Sequence, residues 1–164
     1  MSLAAHFQML ARYNRLANEE LYAVCAQLDD AAYRRRRPGS FGSIHALLNH
    51  MLLADRIWMA RFEGGGKTTL PLDSVLYEDF ATLRSARAAE DSRIESLFAH
   101  PALDFFERTL TYINSRGKDS ASRMLVAVPH FFNHQTHHRG QVHVMLRDAG
   151  LQPPSLDLHR LMQP

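Results

Sequence analysis

The chain has 164 residues, of which 22% are charged and 46% are apolar, and its formal net charge is +2. This composition is typical of a globular protein and excludes an intrinsically disordered chain. The small net charge gives no electrostatic reason to expect a nucleic-acid partner. The ten histidines are the more informative feature of the composition.

The length suits a single domain spanning residues 1–164 that buries its own core. Cys25 is the only cysteine, which excludes an intramolecular disulfide and a cysteine-rich zinc site. No stretch has the pattern of a signal peptide, and no apolar run approaches the ~18 residues that cross a bilayer. We therefore expect a soluble, cytoplasmic protein without a membrane partner.

The first predicted element is a long amphipathic helix whose seam alternates steps of four and three residues. Its members are Leu3, Phe7, Leu10, Asn14, Ala17, Leu21, Val24 and Leu28. This spacing indicates a helix packed in a bundle. Asn14 is the one polar member, and it either fixes the register of packing or lies beside a functional site; Tyr13 flanks the same seam.

Residues 29–42 should break the helix, because four consecutive arginines, Arg34 to Arg37, are followed by Pro38 and Gly39. An arginine run can bind phosphate. Only Tyr33 offers an aromatic ring nearby, so we predict a solvated loop and not a nucleic-acid or phosphate site.

A second helix should begin near Ser43, with Ser40 or Ser43 as its cap. Two adjacent apolar stripes give this helix a wide buried face, and they place His50 and Asp55 inward. A metal-bound imidazole commonly donates its second N–H to a carboxylate, so Asp55 is a candidate orienting group. His45 lies off this face and should be near the surface.

The next segments are a long loop over residues 64–76, a helix from about Glu78 to Phe98 and an extended excursion over residues 103–117. A loop of this length permits a crossover that makes neighbouring helices parallel. The third helix has so many charged positions that we expect it to be the least buried. The excursion has strand and turn composition, so it should lie outside the bundle.

The fourth predicted helix, from about Ser120 to Ala149, carries His134 and His138 on its buried side. Residues four apart share one helix face, so both imidazoles can reach one ion, and His50 can supply a third nitrogen. Three histidines with positions left for water or substrate are typical of a reactive metal centre. Gln135 stands where a zinc protease has its glutamate base, which argues against that mechanism.

Two motifs carry a resemblance to a known family. One is His50-x4-Asp55-x2-Trp58, and the other is the nine-residue run that begins at Asn133 and ends at Gln141. Together with Tyr13-Asn14, they make the chain closely resemble the DinB family of damage-inducible proteins. The resemblance implies an all-α four-helix bundle in up-down-down-up order, with a divalent metal held by three histidines. The matching ligand positions are His50, His134 and His138, and homodimers are common in the family.

The residues and the resemblance together favour a metal-dependent enzyme that transfers a thiol to, or hydrolyses, a small molecule. Asp55 would orient a ligand, and Asn14 or Tyr13 would touch the substrate; a low-molecular-weight thiol is one possible cosubstrate. Imidazole ligands suit zinc, nickel or iron. The alternative is a stress-related protein that binds a metal or small ligand without catalysis, its site closed by a fourth ligand from His137 or Asp55. A DNA-binding role rests only on the arginine run and the family's name.

Overall fold

A computed structural model describes residues 2–65 and 70–163, which are mostly helical with a small two-stranded sheet. The helices are α1 (Leu3–Cys25), α2 (Asp30–Arg34), α3 (Ile44–Phe62), α4 (Phe80–Ala99), α5 (Met124–Asp148) and α6 (Leu158–Leu161). The strands are β1 (Thr109–Ile113) and β2 (Asp119–Arg123), which pair antiparallel between α4 and α5. A mostly helical fold is what the sequence predicts.

The four long helices form a closed ring of contacts, because α1 and α3 each pack against both α4 and α5. Side chains cap three of them: Ser2, Ser43 and Asp79 each accept a hydrogen bond from a backbone N–H three residues later. The predicted cap at Ser43 is confirmed. Of the predicted crossover loop over residues 64–76, residues 66–69 lie outside the described part of the chain.

The arginine run is only partly the predicted solvated loop: Arg35 and Arg36 are exposed, but Arg34 and Arg37 are held by partners. Arg34 belongs to α2, and Arg37 is 4% exposed with its Nε 3.0 Å from Oδ2 of Asp148 at the end of α5. His45, expected near the surface, is 6% exposed and lies 3.3 Å from the carbonyl oxygen of Tyr77. The predictions for Arg34, Arg37 and His45 were wrong because these polar groups find partners distant in sequence.

The excursion before the last long helix extends further than predicted. Residues Asp119–Arg123 form β2, so α5 begins at Met124 and not near Ser120. Exposure alternates along β2, and each of its residues pairs with one in β1. The start of α5 was mispredicted because residues 119–123 are held by strand pairing with β1, and the helical periodicity of the sequence that follows them does not reveal this pairing.

Helix α4 is the least buried of the four long helices, as predicted, with 6 of its 20 residues buried. Part of its charged face nevertheless points into the protein. Arg87, Glu90 and Asp91 are 2%, 5% and 2% exposed. Their charges are paired: Arg87 lies against Asp55 of α3 and against Asp91 one turn along. None of the helices in the described ranges is long and apolar enough for a membrane span.

Candidate metal centre

Three imidazoles from two helices converge at one point. Nε2 of His134 lies 3.0 Å from Nε2 of His138 and 3.3 Å from Nε2 of His50. One nitrogen from each ring can be chosen so that all three lie within 4.8 Å of one another. The structure therefore brings together the three residues that the sequence predicts as ligands, and we call them the histidine triad.

Helix geometry and one aromatic ring set the directions of the triad. His134 and His138 are one turn apart on α5, and His50 faces them from α3, which packs against α5. The ring of Phe41 stacks on His50 with centroids 3.9 Å apart and lies edge-on to His138 at 5.7 Å. Phe41 thus covers one side of the cluster and limits the rotation of His50.

The second nitrogen of two triad members is bound to an acceptor that fixes its tautomer. Nδ1 of His50 lies 2.8 Å from the carbonyl oxygen of Leu72, and Nδ1 of His138 lies 2.8 Å from Oε1 of Gln141. Each Nδ1 must carry the proton to donate to these oxygens. The lone pair of each ring is therefore on Nε2, the atom that faces the other histidines.

Burial keeps the triad in its neutral, ligating form. Desolvation, with the neighbouring histidines adding to it, lowers the pKa of His134 to about 3. Desolvation also lowers the pKa of His138 to about 4, and it lowers that of His50. Neutral imidazole is the form that binds a metal, so protons do not compete strongly for these nitrogens near pH 7.

The spacing of the nitrogens fits a single ion. Two nitrogens bound at ~2.0–2.1 Å to one ion lie roughly 3.3 Å apart in tetrahedral geometry and roughly 2.9 Å apart at a right angle. The Nε2–Nε2 separations of 3.3 Å (His50 to His134) and 3.0 Å (His134 to His138) fall in this range. Converging lone pairs repel one another unless a cation or proton lies between them, which makes the donor set suitable for a divalent metal.

A cavity of about 910 Å³ opens beside the triad, and His50 and His134 line it. Its walls come from α3, the segment around Leu72 and the β1–β2 hairpin, with Trp58 and Tyr112 as the aromatic surfaces. This volume is in the usual range for a small-molecule site. The triad thus lies at a surface that a substrate can reach.

Asp55 lies outside the triad's hydrogen bonds. It accepts from Nη1 of Arg87 at 2.6 Å and from the side-chain amide of Gln135, and it is fully buried. Burial raises the pKa of Asp55 to about 7, with the charge of Arg87 opposing the rise. Among the described residues the orienting contacts of His50 and His138 come from Leu72 and Gln141, not from this predicted carboxylate.

Asn14 is also held away from the cavity. Its amide donates to Asp91 at 3.3 Å and accepts from Arg139. With Asp55 it belongs to a set of buried, hydrogen-bonded side chains that we call the polar network: Asn14, Asn18, Asp55, Arg87, Asp91, Gln135 and Arg139. Of the two predicted interpretations of Asn14, this placement favours packing register.

Tyr13 contacts the C-terminal segment. Its hydroxyl donates to the carbonyl oxygen of Leu156 at 2.7 Å, and it lines a different cavity from the one beside the triad. The structure therefore brings neither Tyr13 nor Asn14 to the cavity that His50 and His134 line.

Four residues that shape the site were not predicted: Phe41, Leu72, Gln141 and Asn49. The Oδ1 of Asn49 accepts from the backbone N–H groups of Leu76 and Tyr77 at 2.8 and 2.9 Å, which fixes the segment that presents the Leu72 carbonyl. Gln141 alone had a signal, since it lies three residues after His138 on one helix face. The contact from His50 to the Leu72 carbonyl could not be predicted, because every residue has a backbone carbonyl and the sequence does not show which one a side chain meets.

Comparison with known proteins shows what this chain is similar to. A family model described as the DinB family matches residues 1–164. Protein DinB from Bacillus subtilis (strain 168) is 29% identical over 157 residues, which cover 86% of this chain and 84% of that protein. The family match includes both helices that carry the triad, the hairpin and the C-terminal segment.

Proposed function

We propose that this chain, which belongs to the DinB family, is a metal-dependent enzyme that transfers a thiol to, or hydrolyses, a small molecule. The observation that carries the proposal is the convergence of three Nε2 atoms at the wall of a large cavity. His50, His134 and His138 would hold one divalent ion. Zinc, nickel and iron all accept such imidazole ligands.

The ion and the residues around the triad would have different roles in the reaction. A divalent ion supplies Lewis acidity, which lowers the pKa of a coordinated water or thiol toward neutrality. The carbonyl of Leu72 and the amide of Gln141 orient two of the ligands, as conserved acceptors do in other metal sites. Phe41 shields the cluster on the side where it stacks on His50. The remaining side is left for the substrate.

The geometry favours an enzyme over a closed binding site. A structural zinc site normally has four protein ligands. The described residues provide a cluster of three, and the two candidates for a fourth ligand are engaged elsewhere: Nε2 of His137 lies 3.1 Å from the Gln141 amide, and Asp55 binds Arg87. An open coordination position beside a cavity supports catalysis.

A thiol in the reaction would come from a cosubstrate. Cys25 is buried, and desolvation raises the pKa of its thiol to about 12. The thiolate is the nucleophile, so a cysteine with this pKa is unreactive at pH 7. Thiol transfer therefore requires a low-molecular-weight thiol, whereas hydrolysis requires only water.

The arrangement of the whole chain follows from the same family assignment. We infer a single domain over residues 1–164 in which the ring of four helices is an up-down-down-up bundle, and a homodimer in solution. We also propose that the protein is located in the cytoplasm and has a role in the stress response. Sedimentation velocity would measure the oligomeric state, and a monomer at all concentrations would remove the homodimer.

Elemental analysis of the purified, untagged protein tests the metal site directly. The parent protein should hold about one ion per chain, and a variant with His50, His134 and His138 all changed to alanine should hold none. His143→Ala is the matched control, because His143 is also on α5 but outside the triad. No metal in the parent after incubation with zinc, nickel or iron would refute the proposal.

Loaded protein can then be screened for activity. The two reactions separate experimentally, since thiol transfer depends on added low-molecular-weight thiol and hydrolysis does not. If the parent holds its ion but shows neither reaction on a broad panel of electrophiles and esters, the metal-binding alternative gains over the enzyme.

A further inference from the structure

We propose that Arg61 is a binding residue for the carboxylate of a small substrate whose apolar body fills the cavity beside the triad. This assigns a substrate class to the site and rests on the proposed function only for the reaction that follows binding. The binding step itself depends on residues of the cavity wall and can be measured without an ion.

Arg61 is held between two aromatic rings at the cavity wall. Its guanidinium carbon lies 4.8 Å from the ring centroid of Trp58, one turn earlier on α3, and 4.2 Å from that of Tyr112 on β1. Nη2 donates to the carbonyl oxygen of Ile113 at 3.2 Å. The rings and this carbonyl orient the planar group, so its remaining N–H groups have fixed directions.

The charge of Arg61 has no carboxylate partner in residues 2–65 and 70–163. Its Nε is buried without a hydrogen-bond partner there, and desolvation lowers the pKa of the guanidinium. Arg56, five residues earlier on α3, also lies over a tyrosine ring but has Glu90 at 3.6 Å. A partly buried cation without a counter-ion is costly, and an incoming anion removes that cost.

The rest of the cavity selects the same class of ligand. The described lining residues include neither aspartate nor glutamate, so Arg61 faces no competing negative charge across the space. An ion bound by three neutral histidines would add further positive charge. Ala54, Ile57 and Pro71 give much of the remaining wall an apolar character. A carboxylate with an apolar or aromatic body matches this surface, and a cationic ligand does not.

Trp58 makes the proposal measurable, because it is the only tryptophan of the chain and lines the cavity. The probe is phenylacetate, and its neutral counterpart of nearly the same shape is phenylacetamide. Both are titrated against metal-free protein in low-chloride buffer, with Trp58 fluorescence and calorimetry as readouts. Since hydrogen bonds to a charged group are stronger than neutral ones, we expect phenylacetate to bind at least ~10-fold more tightly.

Two variants and one control isolate Arg61. Arg61→Gln should abolish the preference for phenylacetate while leaving phenylacetamide binding nearly unchanged, and Arg61→Lys should keep a smaller preference. Arg56→Gln should retain the preference of the parent. Circular dichroism confirms that each variant is folded, and the lysine variant keeps the test valid if the glutamine variant is not.

Each outcome decides one of the two proposals. Equal affinities for the two probes, no saturable binding of either, or a preference that persists in folded Arg61→Gln would overturn the carboxylate site. A preference that depends on Arg61 in a protein without affinity for any ion would leave this site standing and remove the metal-dependent enzyme. A protein that binds an ion but shows no preference for phenylacetate would remove the carboxylate site and leave the metal-dependent enzyme standing.

Discussion

Replacing Gln141 by leucine should weaken metal binding without unfolding the protein. The side chain is partly exposed, and its Oε1 accepts from Nδ1 of His138 at 2.8 Å. Leucine has a similar volume but no acceptor, so the ring loses the contact that fixes its tautomer and direction. Losing such an outer contact typically lowers metal affinity by ~10–100-fold, which is about 1.4–2.7 kcal/mol.

The affinity is best measured by competition for zinc with a chromophoric chelator at pH 7.5. Gln141→Glu is the matched variant, because a carboxylate at the same position still accepts from Nδ1 of His138 and should keep or raise the affinity. Thermal unfolding of the metal-free proteins controls for stability. If Gln141→Leu binds zinc as tightly as the parent, the Gln141 contact does not orient the ligand and our assignment of its role is wrong.

Three further predictions concern stability and pH. Arg87→Met should cost ~3–5 kcal/mol in urea denaturation, because it leaves Asp55 buried without its counter-ion; a loss below about 1 kcal/mol would contradict this. Asn49→Ala releases two backbone N–H groups of the segment that contacts the triad, so zinc affinity should fall and exchange of those amide protons should accelerate. The lowered pKa values of His134 and His138 mean that the unfolded chain binds more protons below pH 6.5. The metal-free protein should therefore lose stability as pH falls from about 6.5 toward 4, and the triple-alanine variant should lack that component of the slope.

The triad could be predicted from sequence because its members follow helical periodicity. His134 and His138 are four residues apart within a buried stripe, and His50 lies on the apolar face of another helix. Periodicity gives the face on which a side chain lies, which is sufficient when three ligands all point inward. The long helices were predicted for the same reason.

The environment of the triad could not be predicted, because it depends on contacts between elements distant in sequence. Asp55 was expected to orient a histidine, since it lies on the same helix as His50. Its carboxylate instead meets Arg87 of α4, which sequence patterning places on an exposed polar face. A charged residue such as Arg87 is predicted to be exposed unless its partner is known. Its partner, Asp55, is 32 positions away in the sequence.

The polar network explains how α5 can hold the imidazole nitrogens of His134 and His138 in accurate positions. On α5, Gln135 and Arg139 directly follow His134 and His138, and a step of one residue turns about 100° around the helix. The two histidines therefore face His50 of α3, while their neighbours enter the polar network. Gln135 is held by α3 through Asp55, and Arg139 is held by α1 through its asparagine partners.

These two attachments fix the rotation of α5 about its own axis. A rotation of about 20° would move a side-chain tip ~5–6 Å from the axis by roughly 2 Å, the length of a metal–nitrogen bond. Apolar packing alone tolerates small rotations, because one methyl group can replace another in a contact. Hydrogen bonds from Arg139 and Gln135 have directions and do not tolerate them. The buried charges of α4 therefore contribute to the geometry of the histidine triad through the orientation of α5, although none of them touches an imidazole among the described contacts.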